Sequence, residues 1–163
     1  MSSIPLHRRL EYARGYIELG LIKEASDELE TIGSDASTTT EVQRVRIDLY
    51  MEAKQWDNVV GIAPAVCEAT PTDEGGWIAW AYALRELQRV EEAQNVLRKA
   101  EPLHGATCSV MHYNLACYAC LLGDFNEARR RLSITFKMGK HWKQSALEDP
   151  DLRNLWNDIA GMK

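Results

Sequence analysis

The sequence predicts an all-α fold built from four helix–turn–helix units in series, closed at the C-terminal end by further helices. Three observations carry this reading. A short segment recurs at nearly constant spacing, helix-like apolar runs flank each copy, and residues that start or stop helices fall between the units.

The recurring segments are Leu19-Gly-Leu-Ile-Lys-Glu-Ala25, Ala53-Lys-Gln-Trp-Asp-Asn-Val59, Leu87-Gln-Arg-Val-Glu-Glu-Ala93 and Leu122-Gly-Asp-Phe-Asn-Glu-Ala128. Each ends in a small or β-branched apolar residue and carries another apolar residue three places earlier: Ile22, Trp56, Val90 or Phe125. The ends are 34, 34 and 35 residues apart.

The elements follow in order. Leu6, Leu10, Ala13, Tyr16, Ile17 and Leu19 mark a helical stripe, and Ala25, Leu29 and Ile32 mark its partner. The same pairing predicts helices over 41–53 and 56–69, 76–88 and 90–101, and 109–122 and 125–137. Thr40 with Gln43, and Asp124 with Glu127, have capping-box spacing. Gly33, Pro71, Gly105 and Gly139 fall where the chain must leave a helix. Asp149-Pro150 reads as an N-cap followed by proline at the first helical position. Leu152, Leu155, Trp156 and Ile159 then form one stripe, so 150–160 is expected to cap the fourth unit, with 140–147 as a short helix leading to it. The units span approximately 6–37, 40–71, 74–105 and 109–139, with the cap over 140–160, in one domain covering 1–163.

This period resembles the tetratricopeptide repeat, whose pattern is Trp-x2-Leu-Gly-x2-Tyr, then Ala-x3-Phe, then Pro. The third unit reads Trp77-x2-Trp80-Ala81-x2-Leu84 and Ala93-x3-Leu97; the fourth reads His112-x2-Leu115-Ala116-x2-Ala119 and Ala128-x3-Leu132. The first reads Arg9-x2-Tyr12-Ala13-x2-Tyr16 and Ala25-x3-Leu29. The second diverges most, with Ile47 and Val59 where the others have alanine, and a looser packing or altered crossing is expected there. The stretch 113–128 and the tail 146–156 look like segments of bacterial members. The resemblance implies a right-handed superhelical solenoid whose first helices line a concave groove. It also implies inward columns: Leu10, Arg44, Ile78 and Tyr113; Arg14, Asp48, Tyr82 and Cys117; Ile17, Met51, Arg85 and Cys120; Glu18, Glu52, Glu86 and Leu121. The partner-binding candidates are therefore Arg14, Arg44, Asp48, Ile78, Tyr82, Arg85, Tyr113, Cys117, Cys120 and Leu121. A peptide with a basic stretch and an apolar anchor, the anchor near the fourth unit, would suit such a groove. Some family members grip a chaperone tail's carboxylate, but at those places this chain has Leu10, Arg14, Val45, Gly75 and Ala79, and only Arg14 could serve.

Composition narrows the function. Net charge is -5 and no basic block suggests nucleic acid. Arg129-Arg130-Arg131 is the longest basic run and reads as a solvated face. Met1-Ser2-Ser3-Ile4-Pro5 lacks the features of a signal peptide, and the most apolar window, 113–122, is too short to span a bilayer. The expectation is a cytoplasmic protein without membrane contact, its four cysteines reduced. Cys117-x2-Cys120, with His112, His104 and Cys108 nearby, lies in a helix the repeat already explains, so neither zinc nor redox chemistry is assigned. No nucleophile elbow, phosphate loop or His-Glu-x-x-His occurs. The expected function is a non-enzymatic, cofactor-free scaffold or adaptor holding a peptide or partner protein. The alternative is a structural module that self-associates through the solenoid ends or the groove, and a metal-bound or redox-sensing module using Cys117 and Cys120 ranks below both.

Overall fold

The computed structural model describes residues 4–163, and Met1, Ser2 and Ser3, on which the reading of the N-terminus partly rests, lie outside them. All regular structure in the described residues is helical. The helices are α1 (Leu6–Glu18), α2 (Ile22–Glu30), α3 (Ser34–Ser37), α4 (Thr40–Glu52), α5 (Trp56–Ala69), α6 (Glu74–Glu86), α7 (Val90–His104), α8 (Ser109–Leu121), α9 (Phe125–Met138), α10 (Trp142–Glu148) and α11 (Trp156–Gly161). A 3₁₀ segment, Pro150–Leu155, lies between the last two.

The repeat is written most plainly in the backbone of the turns. The amides of Leu21, Gln55, Arg89 and Asp124 donate to the carbonyls of Tyr16, Tyr50, Leu84 and Ala119, all at 2.8–2.9 Å. One residue earlier, Gly20, Lys54, Gln88 and Gly123 donate to Ile17, Met51, Arg85 and Cys120. This nested pair is a Schellman-type stop, which needs a left-handed residue at its centre. Gly20 and Gly123 supply it at φ 70° and 81°, whereas Lys54 and Gln88 adopt φ 54° and 63° despite carrying a Cβ. Each following helix restarts at once, as Ala25, Val59, Ala93 and Ala128 donate to Leu21, Gln55, Arg89 and Asp124.

The chain groups into two compact units, 1–83 and 84–163, the division falling inside α6. In the first, Leu10, Ala13, Ala25, Leu29, Val42, Val45 and Leu49 form one core cluster. Ile47, Val59, Ala63, Val66, Ala79 and Ala83 form another. Ile47 and Val59, the larger residues of the second repeat, are fully buried in this second cluster. In the second unit α8 is enclosed by α7, α9 and the 3₁₀ segment, and nine of its thirteen residues are buried. A helix apolar on every side belongs in an interior.

Several local expectations need correction. The N-cap of α4 is Thr39, not Thr40; its hydroxyl accepts from the Val42 amide, and Gln43 reaches back to the Ser37 carbonyl instead. Asp124 does cap α9 by accepting from the Glu127 amide at 3.1 Å, but the Glu127 carboxylate turns to Arg130 and Arg131. Helix α7 runs through Pro102 to His104 rather than stopping at 101, because the Gly105 amide still closes the last turn on Glu101. The cap is not one helix over 150–160. Asp149 accepts from the Asp151 amide as expected of an N-cap, but the turn it starts is 3₁₀ and becomes α-helical only at Trp156.

The Arg129–Arg131 run is not a uniformly solvated face. Arg131 is only 4% exposed. Its guanidinium donates to Glu101, bidentate, and to Glu127, and lies 3.0 Å from His112 Nδ1. His112 Nε2 is 2.7 Å from the Gly105 carbonyl, so this histidine joins α7, α8 and α9 into one polar network.

Candidate functional site: the inner groove of the first unit

The first helices of the opening repeats leave an open groove of about 800 Å³. Helix periodicity explains its lining. Arg14, Ile17 and Glu18 are spaced by three and four on α1, as are Arg44, Asp48, Met51 and Glu52 on α4, so each set shares one helical face. Gly75, Ile78, Ala79 and Tyr82 supply the equivalent face of α6, with Lys54 and Trp56 at one end. Of the ten partner-binding candidates, the groove brings together Arg14, Arg44, Asp48, Ile78 and Tyr82.

The groove combines an apolar floor with charged side chains. Ile17, Met51 and Ile78 are half-buried, and Trp56 meets Tyr82 edge-to-face with ring centroids 5.7 Å apart. Tyr82 remains 41% exposed, an aromatic surface with room for a contact. Arg44 is held between Asp48 and Asp73, its Nε donating to Asp73 at 2.6 Å. Burial opposes its charge, but Asp48 and Asp73 outweigh that and hold the guanidinium above its ordinary range. Asp73 also accepts from the Gly75 amide at 3.1 Å, and a Cβ at Gly75 would stand 2.7 Å from the Arg44 guanidinium. Gly75 thus makes room for this clamp. A second recess shares Arg14 and Arg44 and adds Thr40, Glu41, Thr70, Thr72 and Asp73.

In the second unit the corresponding positions are covered. Tyr113, Cys117 and Cys120 are buried beneath the C-terminal segment. Trp142 stacks on Tyr113 at 4.7 Å between centroids, and the Tyr113 hydroxyl donates to Asp149 at 2.8 Å. Cys117 Sγ approaches the same carboxylate at 3.7 Å. Arg85 is bidentate to Asp151. Burial, then the Cys117 and Asp149 beside it, pushes the Tyr113 phenol up; burial, with Asp149 and Asp151, does the same to both thiols. Leu121 alone of these five candidates is substantially exposed, at 44%. The apolar anchor expected near the fourth unit is therefore taken by the chain's own residues 142–151, whereas the groove of the first unit is open. Sequence reading missed Trp56, which its place in the turn segment did not mark as a groove residue. It also missed Asp73, whose role depends on a loop folding back on Arg44.

Among the described residues no three His, Cys, Asp or Glu side chains converge in a way that could hold a metal ion. None of the described helices is long and apolar enough to cross a membrane.

No protein-family model matches the chain, and no curated protein matches it. Solved structures do. The chain is similar to MamA from MSR-1, with 21% identity over 83% of this chain and 77% of that one, TM-score 0.72. It is similar to MamA from AMB-1 in two crystal forms, both with 22% identity, TM-score 0.70 and 80% of this chain; the matches span 76% and 70% of those chains. Likeness at this identity establishes the fold, an all-helical repeat, and leaves function to the site itself.

Proposed function

We propose that this protein is a non-enzymatic scaffold or adaptor that holds a segment of a partner protein in the inner groove of its first unit. One observation carries the reading: the groove keeps Ile17, Met51, Ile78 and Tyr82 partly accessible beside charged side chains, while Tyr113, Cys117 and Cys120 in the second unit are buried by the chain itself. Aromatic and flexible apolar residues in a concavity give a protein ligand most of its affinity, and the charges around them set orientation and partner choice. Met51 suits such a surface because its unbranched side chain adapts to the shape placed on it.

The test is a paired substitution, Ile78→Ser with Tyr82→Ser, in the full chain. Partner capture should fall by about thirtyfold, the loss of two anchors worth roughly 1 kcal/mol each, while far-UV circular dichroism stays unchanged. Capture unaffected by the pair would place the binding surface elsewhere. Self-association is the second reading, favoured by Leu19 at 74% exposure with Tyr12 and Leu21 also exposed on the first repeat. Light scattering across a wide concentration range decides it, since a strict monomer removes it.

A further inference from the structure

The groove's charges are of two kinds. Arg44 is already satisfied, because Asp48 and Asp73 both bind it and together exceed its charge by one. Glu18 and Glu52 form no ion pair among the described residues; they occupy the same place in successive repeats, 34 residues apart, and so stand on adjacent first helices. Arg14 and Lys54 are the free cations on the lining. The Arg44 clamp thus leaves one negative charge over, Glu18 and Glu52 add two, and Arg14 and Lys54 offset two. Glu41 adds another carboxylate in the adjoining recess. Counted over the groove and this recess together the balance is acidic, and the two unpaired carboxylates are the last residues of α1 and α4, one helical turn beyond Arg14 and Asp48. The apolar floor made by Met51 and Ile78 adjoins them.

Resting on the reading of the groove as a binding surface, we infer that its occupant is a cationic–apolar peptide segment of a partner protein: a bulky apolar side chain on Met51, Ile78 and Tyr82, and a neighbouring Lys or Arg on Glu18 and Glu52. Opposite charges attract across a groove and like charges repel, so an acidic surplus there favours a cationic ligand over an anionic one. An acidic segment would meet Glu18, Glu52 and the surplus charge of the Arg44 clamp, with only Arg14 and Lys54 in compensation. Side-chain spacing restricts the ligand as well. The apolar residue and the cation must lie within about two residues in an extended ligand, or three to four in a helical one, to reach neighbouring parts of one groove.

The test is selection of short random peptides on the full chain, followed by fluorescence anisotropy with the enriched peptides as labelled probes. Each probe is measured against wild type, Tyr82→Ser, and the double variant Glu18→Gln with Glu52→Gln. The glutamines keep shape and remove charge at two exposed positions, so the fold is retained, and circular dichroism verifies this. Enriched probes should carry Lys or Arg beside Leu, Phe or Trp. Their binding should weaken with added salt and fall about tenfold in the double glutamine variant. Probes that are acidic or uncharged, lose binding with Tyr82→Ser and ignore the glutamine pair would overturn the inference yet leave the groove as the binding surface. Probes insensitive to both variants would overturn the groove reading too. A concentration-dependent dimer abolished by Tyr82→Ser would show that a second copy, not a cationic segment, fills the groove.

Discussion

The network around Arg131 makes the second unit's stability depend on acid in a way that can be worked out from one residue. The Glu127 carboxylate receives two hydrogen bonds from Arg130 and one from Arg131, each at 2.7 Å. Hydrogen bonding from Arg130, against the cost of burial and with the further pull of Arg131, lowers its pKa from 4.5 to about 2. A depression of that size corresponds to roughly 3 kcal/mol. Arg130 is itself more than half exposed, so solvent screens its share, and about 2 kcal/mol is the working figure. Because the folded pKa is below the unfolded one, this stability is fully present above about pH 4.5. It is lost as pH falls through that value towards about pH 2. Glu127→Gln removes the titration while preserving shape and a hydrogen-bonding oxygen. In urea unfolding followed by circular dichroism, wild type should exceed the variant by about 2 kcal/mol near neutral pH, and by less than half as much near pH 3. A gap that does not narrow on acidification, or one below about 0.5 kcal/mol at neutral pH, would refute the electrostatic account and leave Glu127 a mere surface residue.

Two further outcomes are expected. Lys54→Gly should stabilise the chain slightly, by up to about 1 kcal/mol: relief of a left-handed Cβ, worth roughly 1–2 kcal/mol, outweighs the added freedom of glycine in the unfolded state. Thermal unfolding checks it, and a clear fall in midpoint would mean that the Lys54 side chain has a role of its own. All four cysteines are buried, and the pKa of Cys117 is raised well above its ordinary value by burial and then by Asp149. A thiol reagent should therefore leave the native protein nearly unlabelled and modify it fully in denaturant. Fast labelling of Cys117 or Cys120 in the native chain would show that the C-terminal segment lifts away readily.

What could be read from the sequence followed from how local each feature is. The four turns are fixed by residues within six positions of one another, and their hydrogen bonds repeat as the spacing of Ala25, Val59, Ala93 and Ala128 requires. The inner faces of α1, α4 and α6 are legible for the same reason. A helix places residues three and four apart on one side, so Arg14 with Glu18 and Arg44 with Asp48 had to emerge together. Arg131 was misread because nothing within one helix reveals that Glu101, 30 residues earlier, lies within reach.

Periodicity states which way a side chain points, but not what comes to lie on it. Tyr113 and Cys117 point inward with the same regularity as Arg44 and Asp48, yet their fates differ because of the chain 30 residues further on. Asp149 caps its own turn through the Asp151 amide and accepts from Tyr113; Asp151 takes Arg85; Trp142 covers the Tyr113 ring. Each bond is modest alone, but Ala146, Leu152, Leu155 and Ile159 are buried in the same segment, so the covering is part of the core and not a removable strap. The α8 surface was accordingly free to become largely apolar, with His112 satisfied by Gly105 and Arg131. The groove of the first unit has no such cover. Its mixture of half-buried Met51 and Ile78 and exposed Tyr82 with unpaired Glu18 and Glu52 is the surface on which the proposed partner segment would lie.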